Sequence, residues 1–128
     1  MGSLTSNPKY PDSPDAVDLV QSIAFENAPW ADNYGVRFST FFTPSVTDSY
    51  DFYIYSDDEA ELFLSSDETP DALQSLVTSP CCSGAFDPGL VGHSAGPLTA
   101  GHRYLLRVLL KQGTGEVRLN VEIGRAHV

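Results

Sequence analysis

The run Tyr50-Asp51-Phe52-Tyr53-Ile54-Tyr55-Ser56-Asp57-Asp58-Glu59-Ala60-Glu61-Leu62-Phe63-Leu64-Ser65 decides the fold. Successive side chains of a β-strand point to opposite faces, so a strand with one buried face alternates apolar and polar residues. Tyr50, Phe52 and Ile54 fall on one face, with Asp51, Tyr53 and Tyr55 on the other; Leu62 and Leu64 repeat the pattern within 60–65. Upstream, 34–42 sets Val36, Phe38 and Thr40 against Arg37 and Ser39 until Pro44 stops it. Downstream come strands over 103–110 and 116–123. The last is strict, with Val117, Leu119, Val121 and Ile123 inward and Glu116, Arg118, Asn120 and Glu122 outward. Gln112-Gly113-Thr114-Gly115 joins these two as a glycine-bearing hairpin loop. Period two over several short segments, punctuated by Gly and Pro, predicts an all-β protein: an antiparallel β-sandwich with long loops. The long loops fall within 66–101, where a strand over 73–77 sits among Pro70, Pro80, Pro88 and Pro97. Loops on a rigid scaffold are where binding concentrates. One short helix is predicted over 15–23, with Ser13 as N-cap and Pro14 in its first turn.

At 128 residues the chain holds one domain with a real core. The expected boundaries are an extended arm or cloning scar with an entry segment at 1–14, the sandwich at 15–123, and a linker or tail at 124–128. Seven Lys and Arg against seventeen Asp and Glu give a net charge of −10. Nucleic-acid phosphates and anionic membranes repel such a surface, so neither is an expected partner. No window is long and apolar enough to insert into a membrane. Cys81 and Cys82 are neighbours, and adjacent Cα atoms ~3.8 Å apart lie below the usual disulfide span. They read as two loop thiols or an uncommon vicinal disulfide.

The string Gly92-His93-Ser94-Ala95-Gly96 matches the nucleophile elbow G-x-S-x-G. That chemistry needs the serine on a sharp turn from strand to helix. Here Pro97 follows at once, no helical pattern exists and no Asp comes after it, so no enzyme is expected. His93, His102 and His127 show no metal-ligand spacing.

Charge is distributed more tellingly. No Lys or Arg occurs between Arg37 and Arg103, while ten acids do, among them Asp48, Asp51, Asp57, Asp58, Glu59 and Glu61. Such a run is either a solvated face or a cation site. In a regular strand Asp57 and Asp58 would point to opposite faces. A cis peptide between them would shorten their Cα separation to ~2.9 Å and bring both carboxylates together. Calcium takes six to eight oxygens at ~2.3–2.6 Å, of which two Asp supply a part. Gln112-Gly113-Thr114-Gly115 offers an amide oxygen and bare carbonyls for the rest. Trp30, Tyr53 and Tyr55 either pack against the sheet or stack on a sugar ring.

Trp30-Ala31-Asp32-Asn33-Tyr34-Gly35-Val36-Arg37, Phe42-Thr43-Pro44, 49–58, 60–65, Leu98-Thr99-Ala100-Gly101-His102-Arg103-Tyr104 and Lys111-Gln112-Gly113-Thr114-Gly115 together resemble the PA-fourteen domain, named for the amino-terminal fragment of anthrax protective antigen. The matches run in order from about Trp30 to Ile123. The resemblance implies a β-sandwich of the kind found in yeast flocculins and other adhesins, bacterial surface proteins, glycosidase inserts and fibrocystin-like proteins. In the family's lectin members a cis Asp-Asp pair holds Ca²⁺, and the ion binds sugar hydroxyls. Asp57 and Asp58 stand where that pair stands, and 112–115 where its calcium loop stands. The expectation is therefore a calcium-dependent carbohydrate-binding module. It would be monomeric within a larger adhesin and would act outside the cell or at its surface. Asp57 and Asp58 would ligate through carboxylates, Gln112 through its amide oxygen, and Gly113 and Gly115 through carbonyls. The ligand would be met by Asp57, Asp58, Thr114 and Trp30. Two rivals are a structural or protein-interaction spacer of the same fold and an accessory insert shaping a neighbouring hydrolase.

Overall fold

The computed structural model describes residues 8, 10, 24–26, 34–80, 90–113 and 118–125. The helix expected over 15–23, Trp30 and the Cys81-Cys82 pair lie outside the described residues. Among the described residues eight strands carry the fold: β1 (Ala24–Glu26), β2 (Tyr34–Phe42), β3 (Tyr50–Asp57), β4 (Glu59–Ser65), β5 (Leu73–Ser79), β6 (Val91–His93), β7 (Tyr104–Gln112) and β8 (Arg118–Arg125). They form two antiparallel four-stranded sheets, ordered β1-β8-β3-β6 and β2-β7-β4-β5. This is the expected sandwich. The alternation places five of its strands within a residue or two of their observed ends; β1 and β6, three residues each, are too short to show a period.

The alternating apolar residues become the core. Phe52, Ile54, Leu62, Val108, Leu110 and Leu119 are essentially inaccessible to solvent, and Val121 and Ile123 pack against them. At one end Phe42 meets Tyr50 and Phe52 edge-on, with ring centroids 5.1 and 5.9 Å apart, an arrangement the ring quadrupoles favour. The Tyr50 hydroxyl donates to the Val46 carbonyl (2.6 Å), so the buried phenol keeps a partner. β7 differs from its neighbours in being buried on both faces. Leu105 and Leu109, on the face away from the core, are covered as well. Its near-continuous apolar run reflects this central position.

β5 carries a bulge. Leu62 pairs with Val77 and Phe63 with Ser75, leaving Leu76 as the extra residue. A bulge re-aims one side chain, and Leu76 lies against Gly92 of β6, the edge of the other sheet. A Cβ on Gly92 would sit 2.7 Å from the Leu76 Cβ and 3.2 Å from its main chain, so only glycine permits this approach. Next to it, Ser94 continues the pairing that β6 begins. Its N–H donates to the Tyr50 carbonyl (2.9 Å), and its Oγ accepts from the Tyr50 N–H (3.0 Å) while donating to the Gly96 carbonyl (2.8 Å). The G-x-S-x-G string is thus an edge closure: its first glycine permits a contact and its serine replaces a ladder bond.

The β4–β5 connection is organised by Asp67, whose Oδ1 accepts from the Thr69 N–H and hydroxyl (both 2.7 Å). The main-chain bond first, then the hydroxyl, holds this exposed carboxyl below its ordinary range.

Gly92→Ala is expected to cost about 1–3 kcal/mol through overpacking against Leu76. Ser94→Ala should cost a similar ~1–3 kcal/mol by stranding the buried Tyr50 N–H. Urea denaturation of both variants measures this, and wild-type stability in either would refute the edge closure. Because the folded Asp67 carboxyl has the lower pKa, its contribution is present above the unfolded value of about 3.9 and lost as pH falls through the folded value. Melting temperature against pH should therefore fall more steeply on the acid side in wild type than in Asp67→Ala.

Candidate functional site

The two sheets exchange chain at one end of the sandwich. β3 ends at Asp57 and β4 begins at Glu59 in the opposite sheet, so Asp58 alone makes the crossing. β7, which ends at Gln112, and β8, which begins at Arg118, also lie in opposite sheets. Register brings the crossings side by side: Asp57 pairs with Arg118 at the start of β8, and Glu59 with Lys111 near the end of β7. The Asp57–Asp58 peptide is cis, as the sequence reading expected.

Gln112 joins the two crossings. Along β7 the core-facing positions are Tyr104, Leu106, Val108, Leu110 and then Gln112, which is only 1% exposed. A primary amide at such a position needs hydrogen-bond partners, because burying it bare is costly. Its Oε1 accepts from the Asp58 N–H at 3.1 Å. The next residue completes the contact: the Gly113 N–H donates to Asp58 Oδ2 at 2.7 Å, a short charge-assisted bond. A Cβ on Gly113 would lie 3.0 Å from that oxygen, so the glycine lets the carboxylate come in against the main chain. Lys111 Nζ donates to the Gln112 carbonyl at 2.9 Å, on the same crossing.

Of the residues expected at the site, the structure brings together Asp57, Asp58, Gln112 and Gly113. Thr114, Gly115 and Trp30 lie outside the described residues. Among the described residues no three His, Cys, Asp or Glu side chains converge as a metal group. Among the described residues the oxygen groups at the crossing are the carboxylates of Asp57, Asp58 and Glu59, the Gln112 amide and main-chain carbonyls, with no sulfur or imidazole. That chemistry fits a hard cation such as calcium and does not fit zinc or copper.

Tyr53 and Tyr55 are half-buried on the outer face, where the Tyr55 hydroxyl accepts from Asn120 Nδ2 (3.3 Å). His93 pairs across the sheet with Asp51, Nδ1 to Oδ1 at 2.6 Å. That pair lies six residues along β3 from Asp57, about 20 Å away at the rise of a strand. Sequence reasoning took Gln112 as a donor of oxygen to an ion and missed its bond to the Asp58 main chain. The signal was present, since a glutamine occupies the last place of an otherwise apolar inward stripe.

No protein-family model and no curated protein matches the chain. Solved structures do. The epithelial adhesin 9 A domain from Candida glabrata, in complex with Galβ1-4GlcNAc, superposes with a TM-score of 0.61 at 12% identity, covering 81% of this chain and 60% of that one. The same domain in complex with Galβ1-3GlcNAc gives 0.59 at 15% identity, covering 76% and 47%. The epithelial adhesin 6 A domain of that organism, also with Galβ1-3GlcNAc, gives 0.57 at 16%, covering 76% and 46%. The chain spans about half the length of these structures. It shares with the Candida glabrata epithelial adhesin A domains their β-sandwich fold.

Proposed function

We propose that this chain is a calcium-dependent carbohydrate-binding module of the PA-fourteen type, lectin-like and without catalysis. It would work as a monomeric unit of a larger adhesin, outside the cell or at its surface. The observation that carries the reading is the placement of Asp57 and Asp58 on a sheet crossing, with the Asp58 carboxylate held by the Gly113 N–H. A carboxylate fixed this way loses little freedom on meeting a cation, which favours binding by preorganisation. Asp57 and Asp58 would hold the ion through their carboxylates, with amide and main-chain oxygens of 112–115 beside them. A bound calcium ion would supply open coordination positions to a pair of sugar hydroxyls. The shared fold supports the same reading, since the adhesin A domains it matches are complexed with galactosyl-GlcNAc disaccharides. No described helix is long and apolar enough to cross a membrane.

Ser94 has no place in this activity. Its hydroxyl is engaged by Tyr50 and Gly96, and no helix follows it among the described residues.

Calcium binds the folded state alone in this account, so it stabilises by RT ln(1 + [L]/Kd), about 2.7 kcal/mol at a hundredfold excess over Kd. Added calcium should raise the melting temperature and chelator should reverse the rise. Asp57→Asn and Asp58→Asn should abolish the response, since Asn keeps the size but loses the charge. No heat of binding in calorimetry and no thermal shift would refute the metal site. A glycan array including Galβ1-4GlcNAc and Galβ1-3GlcNAc, read with calcium and with chelator, tests the ligand. Calcium uptake without any glycan would make the chain a spacer of this fold instead. Glycan binding that survives chelator would place the ligand away from Asp57 and Asp58, and Trp30 would be the residue to substitute.

A further inference from the structure

We infer that Gln112 is a positioning residue for Asp58 and not itself a ligand to the cation, an assignment that rests on the calcium reading above. Three observations carry it. Gln112 is 1% exposed and sits on the core face of β7, in line with Leu106, Val108 and Leu110. Its Oε1 is turned to the main chain of the crossing, where it accepts from the Asp58 N–H at 3.1 Å. Asp58 itself is held from the other side, its Oδ2 accepting from the Gly113 N–H at 2.7 Å.

These two bonds work on different parts of one residue. Gln112 fixes the main chain of Asp58, and Gly113 fixes its carboxylate. Both come from consecutive residues at the end of β7, so the position of Asp58 is tied to the central strand of the opposite sheet. Gln112 therefore holds the crossing still through the Asp58 N–H. Partners that orient a ligating carboxylate in this way typically contribute about 10–100-fold to metal affinity without touching the metal.

Gly113 belongs to the same device. A Cβ there would lie 3.0 Å from Asp58 Oδ2, so the carboxylate would have to give by a few tenths of an ångström against the N–H that holds it. The pair Gln112-Gly113 therefore sets where Asp58 stands before an ion arrives.

The test uses the whole chain, with calcium read by calorimetry and terbium(III) as a luminescent surrogate. Gln112→Met keeps the length and apolar stem but removes the accepting oxygen. It should weaken calcium about 10–100-fold while the water count on bound terbium, from lifetimes in H₂O and D₂O, stays that of the wild type. A water gained in Gln112→Met would mean that Gln112 was a ligand and would overturn the assignment. Unchanged calcium affinity would overturn it too. Hydrogen exchange gives a readout without metal: the Asp58 amide should be protected in wild type and exposed in Gln112→Met, and equal exchange in both would contradict the bond. Gly113→Ala should also lose calcium affinity yet keep the Asp58 amide protected, which serves if Gln112→Met fails to fold; wild-type affinity in Gly113→Ala would contradict the device. A wild type that takes up no calcium sinks the site reading and the assignment with it. Uptake by wild type and Gln112→Met alike sinks the assignment alone.

Discussion

One carboxylate ties the two sheets together at their busiest end. Asp58 makes the crossing from β3 to β4 alone; its N–H is bonded to Gln112, the last residue of β7, and its Oδ2 to Gly113 just after it. Those bonds tie the corner between the sheets to the strand beside it. With them, the corner becomes an extension of β7, the strand buried on both faces. Side-chain freedom is spent at folding and so is not spent again when a ligand arrives. The structural bonds that close the sandwich are in this account the ones that prepare its binding end.

The opposite end is built from different chemistry. There the Phe42, Tyr50 and Phe52 rings meet edge-on, Ser94 substitutes for ladder bonds, and Arg125 holds Asp48 through Nη2 at 2.9 Å and Nε at 3.0 Å. Two of its acidic residues are engaged: Asp51 pairs with His93 and Asp48 with Arg125. The long stretch without Lys or Arg is thus two things. At the 48–51 end its acids are hydrogen-bonded by partners from β6 and β8, and at the 57–58 end it is a carboxylate pair set against β7.

Much of this was legible in the sequence, for a physical reason. A strand with one buried face writes its period into the chain, and β2, β3, β4 and β8 each did so in five residues or more. β1 and β6 did not, because three residues cannot display a period of two. The Asp57-Asp58 pair stood out because two neighbouring acids end an otherwise regular strand. Gln112 was picked for its oxygen, but its bond to the Asp58 main chain was not read, because alternation shows which face a residue occupies and not which atom it meets across the sheet. Its partner, the Asp58 main chain, lies 54 residues away and becomes visible only once β4 and β7 are paired. Ser94 was read only against the nucleophile motif; its use as a stand-in for a ladder bond depends on Tyr50, again a pairing that no local pattern records.

The central claim is that the carboxylate pair on the crossing holds a calcium ion through which a sugar is bound. It is tested most directly by titrating a glycan found to bind into calcium-loaded protein, then adding chelator and finally calcium again. The account predicts that chelator releases the glycan completely and that renewed calcium restores it, with Asp58→Asn silent throughout. Retention of the glycan in chelator, or binding by Asp58→Asn equal to that of the wild type, would contradict it.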